Sequence, residues 1–159
     1  MPTVFVTRRE TFSCAHRLHS PSLSQEQNQD IFGKCNNKHG HGHNYVIEVT
    51  VVGQPDKTTG MVVNIADLKI WIKEKVMDVL DHRNIDKEVE YFMNEVVSTT
   101  ENVAVFCWEQ LVGIIPEPAR LHEVKIWETE KNIVSYRGRS REGWRDLGHF
   151  GCLEEVVLF

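Results

Sequence analysis

No apolar run in the 159-residue chain approaches the roughly 20 residues that span a bilayer, which excludes a membrane-spanning helix and points to a soluble protein. The first residues, MPTVFVTRRETF, lack the basic start and apolar core of a secretory signal. The four cysteines, Cys14, Cys35, Cys107 and Cys152, fall at no zinc-finger spacing, so they read as free thiols in a reducing, cytoplasmic setting. A basic excess is missing too. The formal net charge of -5 argues against a nucleic-acid surface but leaves room for a small basic pocket that takes an anionic substrate. There is no internal repeat, no low-complexity tract and no glycine-rich dinucleotide fingerprint. What is left is one domain, long enough to bury roughly two-thirds of its unfolded surface without staples, so a metal here need not be structural.

Hydrophobic periodicity then sets out the elements. Residues 3 to 18 alternate as a strand and put His16 on the more apolar face with Val4, Val6, Phe12 and Cys14. Residues 20 to 34 are polar, with a Pro and a Gly, and read as a long loop. The motif FGKCNNKHGHGHNY follows and runs into a second strand on which His41, His43, Tyr45, Ile47, Val49 and Val51 share one face. Asn64 is placed to cap a first helix that ends near Leu80. Ser98 and Glu101 form an S-x-x-E pattern that opens a second helix, stopped by Pro116. Two further strands flank a polar turn at Thr129 to Asn132. The order is ββααββ, an α+β domain over residues 1–138 with a small four-stranded antiparallel sheet and two helices. Residues 139–159 form a tail to which no structure is assigned.

The residues able to do chemistry cluster around the two leading strands. Histidines two apart on a strand point the same way, about 6 to 7 Å apart at their α-carbons, and so can chelate one ion. His16, inward on the adjacent strand, is the best third ligand. Three histidines leave a fourth position open, as catalytic zinc sites do. The plainer alternative is a glycine-rich turn with polar histidines. Cys35 lies in a polar, glycine-containing segment beside cations and imidazoles, a setting that favours a thiolate base or nucleophile over a packed thiol. Cys107, in an apolar helix, lacks that setting; Cys14 shares the face of His16 and could ligate, but reads rather as core. Asp81 and His82 stand together just beyond a helix end, either as a proton relay or as an ordinary surface pair. Glu128 shares a face with Val124 and Ile126, where its carboxylate needs a two-donor partner, such as the N–H edge of a heterocycle, or exposure at the strand end.

Taken in order, FSCAHRLHS, FGKCNN with GHGHNY, GMVVN, LDHRN, VVSTTENVAV and WETEKNIVSYRG closely resemble the 6-pyruvoyltetrahydropterin synthase family over roughly residues 5 to 138. The resemblance implies the tunnelling fold, in which ββααββ units form a trimeric barrel and two barrels stack into a homohexamer with sites between subunits. It implies zinc on His16, His41 and His43, Cys35 as the proton-abstracting base, Asp81 and His82 as its relay, and Glu128 as the pterin anchor. Thr99, Thr100 and Glu101 would help hold the ring. The implied activity is a zinc-dependent lyase of tetrahydrobiopterin biosynthesis, converting 7,8-dihydroneopterin triphosphate to 6-pyruvoyltetrahydropterin with loss of triphosphate.

Two registers of the metal motif are written in the chain. His41 and His43 fit a spacing of six residues from Cys35, whereas His39 and His41 fit the shorter spacing of the related 6-carboxytetrahydropterin synthases. The longer is preferred because Gly42 to Tyr45 continue directly into the strand; His39 is then an extra histidine. The alternatives are a carboxytetrahydropterin-type activity on the same substrate, and a non-catalytic zinc or pterin-binding module. Cys35, Asp81, His82 and Glu128 together argue against the latter.

Overall fold

The alternation over the first strand and the histidine-led strand makes the two longest elements. In the computed structural model, which describes residues 2–93 and 95–138, these are β1, Val4–His16, and β2, His41–Gly53. With β3, Arg120–Trp127, and β4, Ile133–Tyr136, they form one sheet in the order β1-β2-β3-β4, antiparallel throughout. One face carries the core: Tyr45, Ile47 and Val49 of β2 and Val124 and Ile126 of β3 are fully buried. The expected α+β arrangement is what forms.

Two helical elements cover that face. Asn64 caps α2, Ile65–Ile72, by accepting a hydrogen bond from the Ala66 amide. The helix continues through a π-helical turn, Lys73–Met77, into a last turn, Asp78–Leu80. Leu68, Ile72, Val76 and Leu80 are all fully buried. The later helix, α3, spans Thr100–Leu111 and lies against β3 and β4. Its cap is Thr99, which accepts from the Asn102 amide, and not Ser98 as the S-x-x-E spacing suggests. Ser98 is buried, its hydroxyl without a partner among the described residues and its carbonyl turned to the site.

The stretch expected as a long loop also differs. It contains α1, Gln25–Phe32, and a 3-10 turn, Gly33–Asn36. A reciprocal capping box joins Ser24 and Gln27, and the buried Asn28 side chain accepts from the Ser20 amide while donating to the carbonyls of Ser20, Leu23 and Ser24. Side-chain to backbone bonds, not an apolar stripe, hold this helix, so periodicity missed it. The tail, residues 139–159, lies outside the described residues.

Candidate active site

The β1/β2 register sets His16 opposite His41 and Cys14 opposite His43. Alternation then turns all three imidazoles to the helix-covered face. Their ring centroids are 4.6 Å (His16–His41), 4.9 Å (His41–His43) and 5.3 Å (His16–His43) apart. One nitrogen from each lies within 4.8 Å of the others. His39 is exposed and outside the cluster, so the longer register is the one the fold brings together. Gly40 makes the approach possible. It has φ of 75°, and a Cβ there would stand 2.9 Å from the His16 carbonyl oxygen.

The fully buried His16 has its Nδ1 2.7 Å from the Ser98 carbonyl oxygen, which can only accept, so Nδ1 carries the proton and Nε2 presents a lone pair. That lone pair lies 3.1 Å from His41 Nε2. Burial, above all, holds the basicity of His16 and His41 below the usual histidine range, and the neighbouring imidazoles reinforce it. Neutral imidazoles facing one another at this distance suit a shared cation better than a proton each. The donor set therefore fits a metal ion that prefers nitrogen. Cys14 stays out of the cluster: burial pushes its thiol up to about 12, which marks a core side chain.

Glu128 follows the end of β3. Its amide donates to the Asn132 carbonyl, and its Oε1 accepts from the Thr100 hydroxyl at 2.9 Å. The same oxygen is 3.9 Å from His16 Nε2 and 3.8 Å from His43 Nε2, and the side chain is 16% exposed. Of the three α3 residues singled out, the fold brings Thr100 to the carboxylate. Thr99 caps the helix, and Glu101 is exposed.

Asp81 and His82 lie at the opposite edge of β1. The His82 amide donates to the Ser13 carbonyl and the Ala15 amide to the Arg83 carbonyl, so this segment runs alongside the strand. Asp81 Oδ1 accepts from the Ser13 amide and Oδ2 sits 2.8 Å from His82 Nδ1. The Ser13 bond is the main cause holding the Asp81 carboxyl below the usual aspartate range. His82 has φ of 62°, in the left-handed region, and its ring is 84% exposed. Cys35 is half-buried in the 3-10 turn, its carbonyl accepting from Leu18. Among the described residues it makes no hydrogen bond with Asp81 or His82. The contribution of Ser98 could not be read in advance, because every residue carries the same carbonyl.

The model of the family described as 6-pyruvoyl tetrahydropterin synthase matches residues 5–139. The chain belongs to that family. It is therefore an enzyme of the 6-pyruvoyl tetrahydropterin synthase family. It is 58% identical over 137 residues to the 6-pyruvoyl tetrahydrobiopterin synthase of Drosophila melanogaster, covering 86% of this chain and 81% of that one. Against the Homo sapiens protein of the same name it is 54% identical over 133 residues, with coverage of 84% and 90%. The solved structure of the Caenorhabditis elegans 6-pyruvoyl tetrahydropterin synthase superposes with a TM-score of 0.83 at 50% identity, covering 87% of this chain and 98% of that one.

Proposed function

We propose that this enzyme converts 7,8-dihydroneopterin triphosphate to 6-pyruvoyltetrahydropterin, releasing triphosphate, in the cytoplasmic synthesis of tetrahydrobiopterin. The observation that carries the reading is a carboxylate, Glu128, within 4 Å of two members of a convergent three-histidine cluster in a chain of this family. Zinc bound by His16, His41 and His43 would polarise the substrate's side-chain hydroxyls and ease loss of the neighbouring carbon-bound proton.

The chain's own groups supply the rest. Glu128 accepts the N–H edge of the pterin, and the Thr100 hydroxyl keeps that carboxylate turned toward the histidines. Cys35, as thiolate, takes the proton from the side-chain carbon. Asp81 orients His82, whose exposed ring passes protons on. Because that ring is exposed and makes no hydrogen bond with Cys35 among the described residues, the relay for Cys35 comes from an adjoining subunit of a homohexamer. The reaction balances without an external reductant: triphosphate leaves, and the alcohol carbon next to the ring becomes a ketone as the ring takes up two hydrogens.

Incubation of zinc-loaded protein with 7,8-dihydroneopterin triphosphate, followed by product mass and triphosphate release, tests this. The pyruvoyl mass with one triphosphate per turnover is expected. A carboxytetrahydropterin mass, or no product, overturns it.

A further inference from the structure

Beside the histidine cluster is a cavity of about 290 Å³ lined by three cationic side chains and two carboxylates, in a chain of net charge -5. Its walls include Arg17, next to His16; Lys38 and Gly40, just before His41; and Lys87, on the helical turn Ile85–Glu88. Val97, which precedes the carbonyl that holds His16, is also on the wall. Two carboxylates line it as well, Asp86 and Glu95. Asp86 accepts from the Arg17 amide and is thereby committed to the wall. Arg17 spends its Nε on the Asn36 carbonyl and side-chain oxygen, which fixes the guanidinium and leaves its two terminal nitrogens for another acceptor. Lys38 and Lys87 are exposed, and their ammonium groups make no ion pair or hydrogen bond among the described residues.

The site is polar along its length. Glu128 stands within 4 Å of His16 and His43, whereas the cavity wall holds Arg17 and Gly40, the chain neighbours of His16 and His41, and does not include Glu128. A substrate whose ring lies on Glu128 and whose side chain crosses the histidines has its far end at this cavity. We propose that Arg17, Lys38 and Lys87 form the subsite that receives the phosphate chain of the substrate, an inference that rests on the assignment of a pterin triphosphate to this site. Arg17 presents a rigid fork to phosphate oxygens, and the two lysines supply mobile point charges. Both lysines stand in solvent with no carboxylate within ion-pair distance among the described residues, so an entering anion meets ammonium groups that are not already paired.

The test uses zinc-loaded protein and two probes, inorganic tripolyphosphate and unphosphorylated neopterin, each titrated calorimetrically. In Lys38→Gln/Lys87→Gln, tripolyphosphate affinity should fall about tenfold for each lysine removed. Neopterin affinity, zinc content and melting temperature should not move, and Lys38→Arg/Lys87→Arg should keep tripolyphosphate binding. A control, Lys57→Gln/Lys131→Gln, removes two lysines that are not on the cavity wall. Absence of tripolyphosphate binding by the wild type, an unchanged affinity in the double variant, or an equal loss in the control overturns the subsite. Lysine-dependent tripolyphosphate binding in a protein that fails to turn over the pterin triphosphate sinks the proposed reaction but upholds an anion-binding cavity.

Discussion

His16 Nδ1 lies 2.7 Å from the carbonyl oxygen of Ser98, joining the end of β1 to the residue before the α3 cap. One bond thus sets the tautomer of a histidine that could ligate a metal, and satisfies a buried carbonyl. His16→Ala should lose bound metal and also destabilise the metal-free fold by about 1–3 kcal/mol, from the carbonyl left unpaired. His41→Ala and His43→Ala should lose metal, and His39→Ala should keep one zinc per chain. Metal content by mass spectrometry and a denaturant titration read both effects; metal loss in His39→Ala with retention in His43→Ala would favour the shorter register.

Glu128→Ala should weaken neopterin binding about 10- to 100-fold, the scale of a charged hydrogen bond, with little change in melting temperature. Among the described residues its carboxylate accepts from the Thr100 hydroxyl at 2.9 Å and, more loosely, from Asn132 Nδ2 at 3.4 Å. A marked fall in melting temperature at unchanged pterin affinity would make the carboxylate structural.

Cys35→Ala should keep zinc and oligomeric state yet lose at least about 100-fold in turnover, as expected for a positioned general base. Zinc content and turnover on one preparation decide the point. An active variant removes the base assignment, and an inactive one without zinc makes Cys35 a ligand.

If Cys35 and the Asp81–His82 pair work across a subunit boundary, inactive chains should rescue each other. Cys35→Ala and His82→Ala proteins, unfolded together and reassembled, should recover a measurable fraction of wild-type activity that neither shows alone. Absence of recovery in mixed oligomers would place the relay within one chain.

The Asp81 carboxyl, held low chiefly by the Ser13 amide, gives a pH signature. A group with depressed folded pKa adds stability above its unfolded pKa and loses it as pH falls through the folded value. Wild-type stability should therefore drop from about pH 4 downward. In Asp81→Asn the acid-side slope should be shallower, as read by urea midpoints between pH 2 and 6; identical slopes would show that the bond adds nothing.

Much of the site was readable because strand alternation is strict. Once the GHGHNY run was placed at the start of a strand, the shared face of His41, His43 and Tyr45 followed, and a neighbouring strand of matching parity supplied His16. Helix α1 was hidden because Asn28 holds it through backbone groups and no apolar periodicity announces such bonds. The Thr100–Glu128 contact joins α3 to the turn after β3 and belongs to packing, which a linear pattern does not encode. That Cys35 and His82 share no hydrogen bond among the described residues is likewise a matter of three-dimensional placement, although both lie in motifs that were recognised.

The π-helical turn of α2, Lys73–Met77, keeps the helix in phase. At about 100° per residue, the spacing from Leu68 to Leu80 would overshoot three full turns by roughly 120° and carry Leu80 off the sheet. The wider turn accommodates one additional residue and takes back about 100° of that drift. Rewinding that turn into regular α-helix with all of its residues kept would rotate everything beyond Met77 by about 100°, and Asp81 would face away from the Ser13 amide it now meets; deleting one residue as the turn becomes regular would instead keep the phase. The irregular turn is what lets a helix end dock an acid and a histidine against the edge of the strand that carries His16.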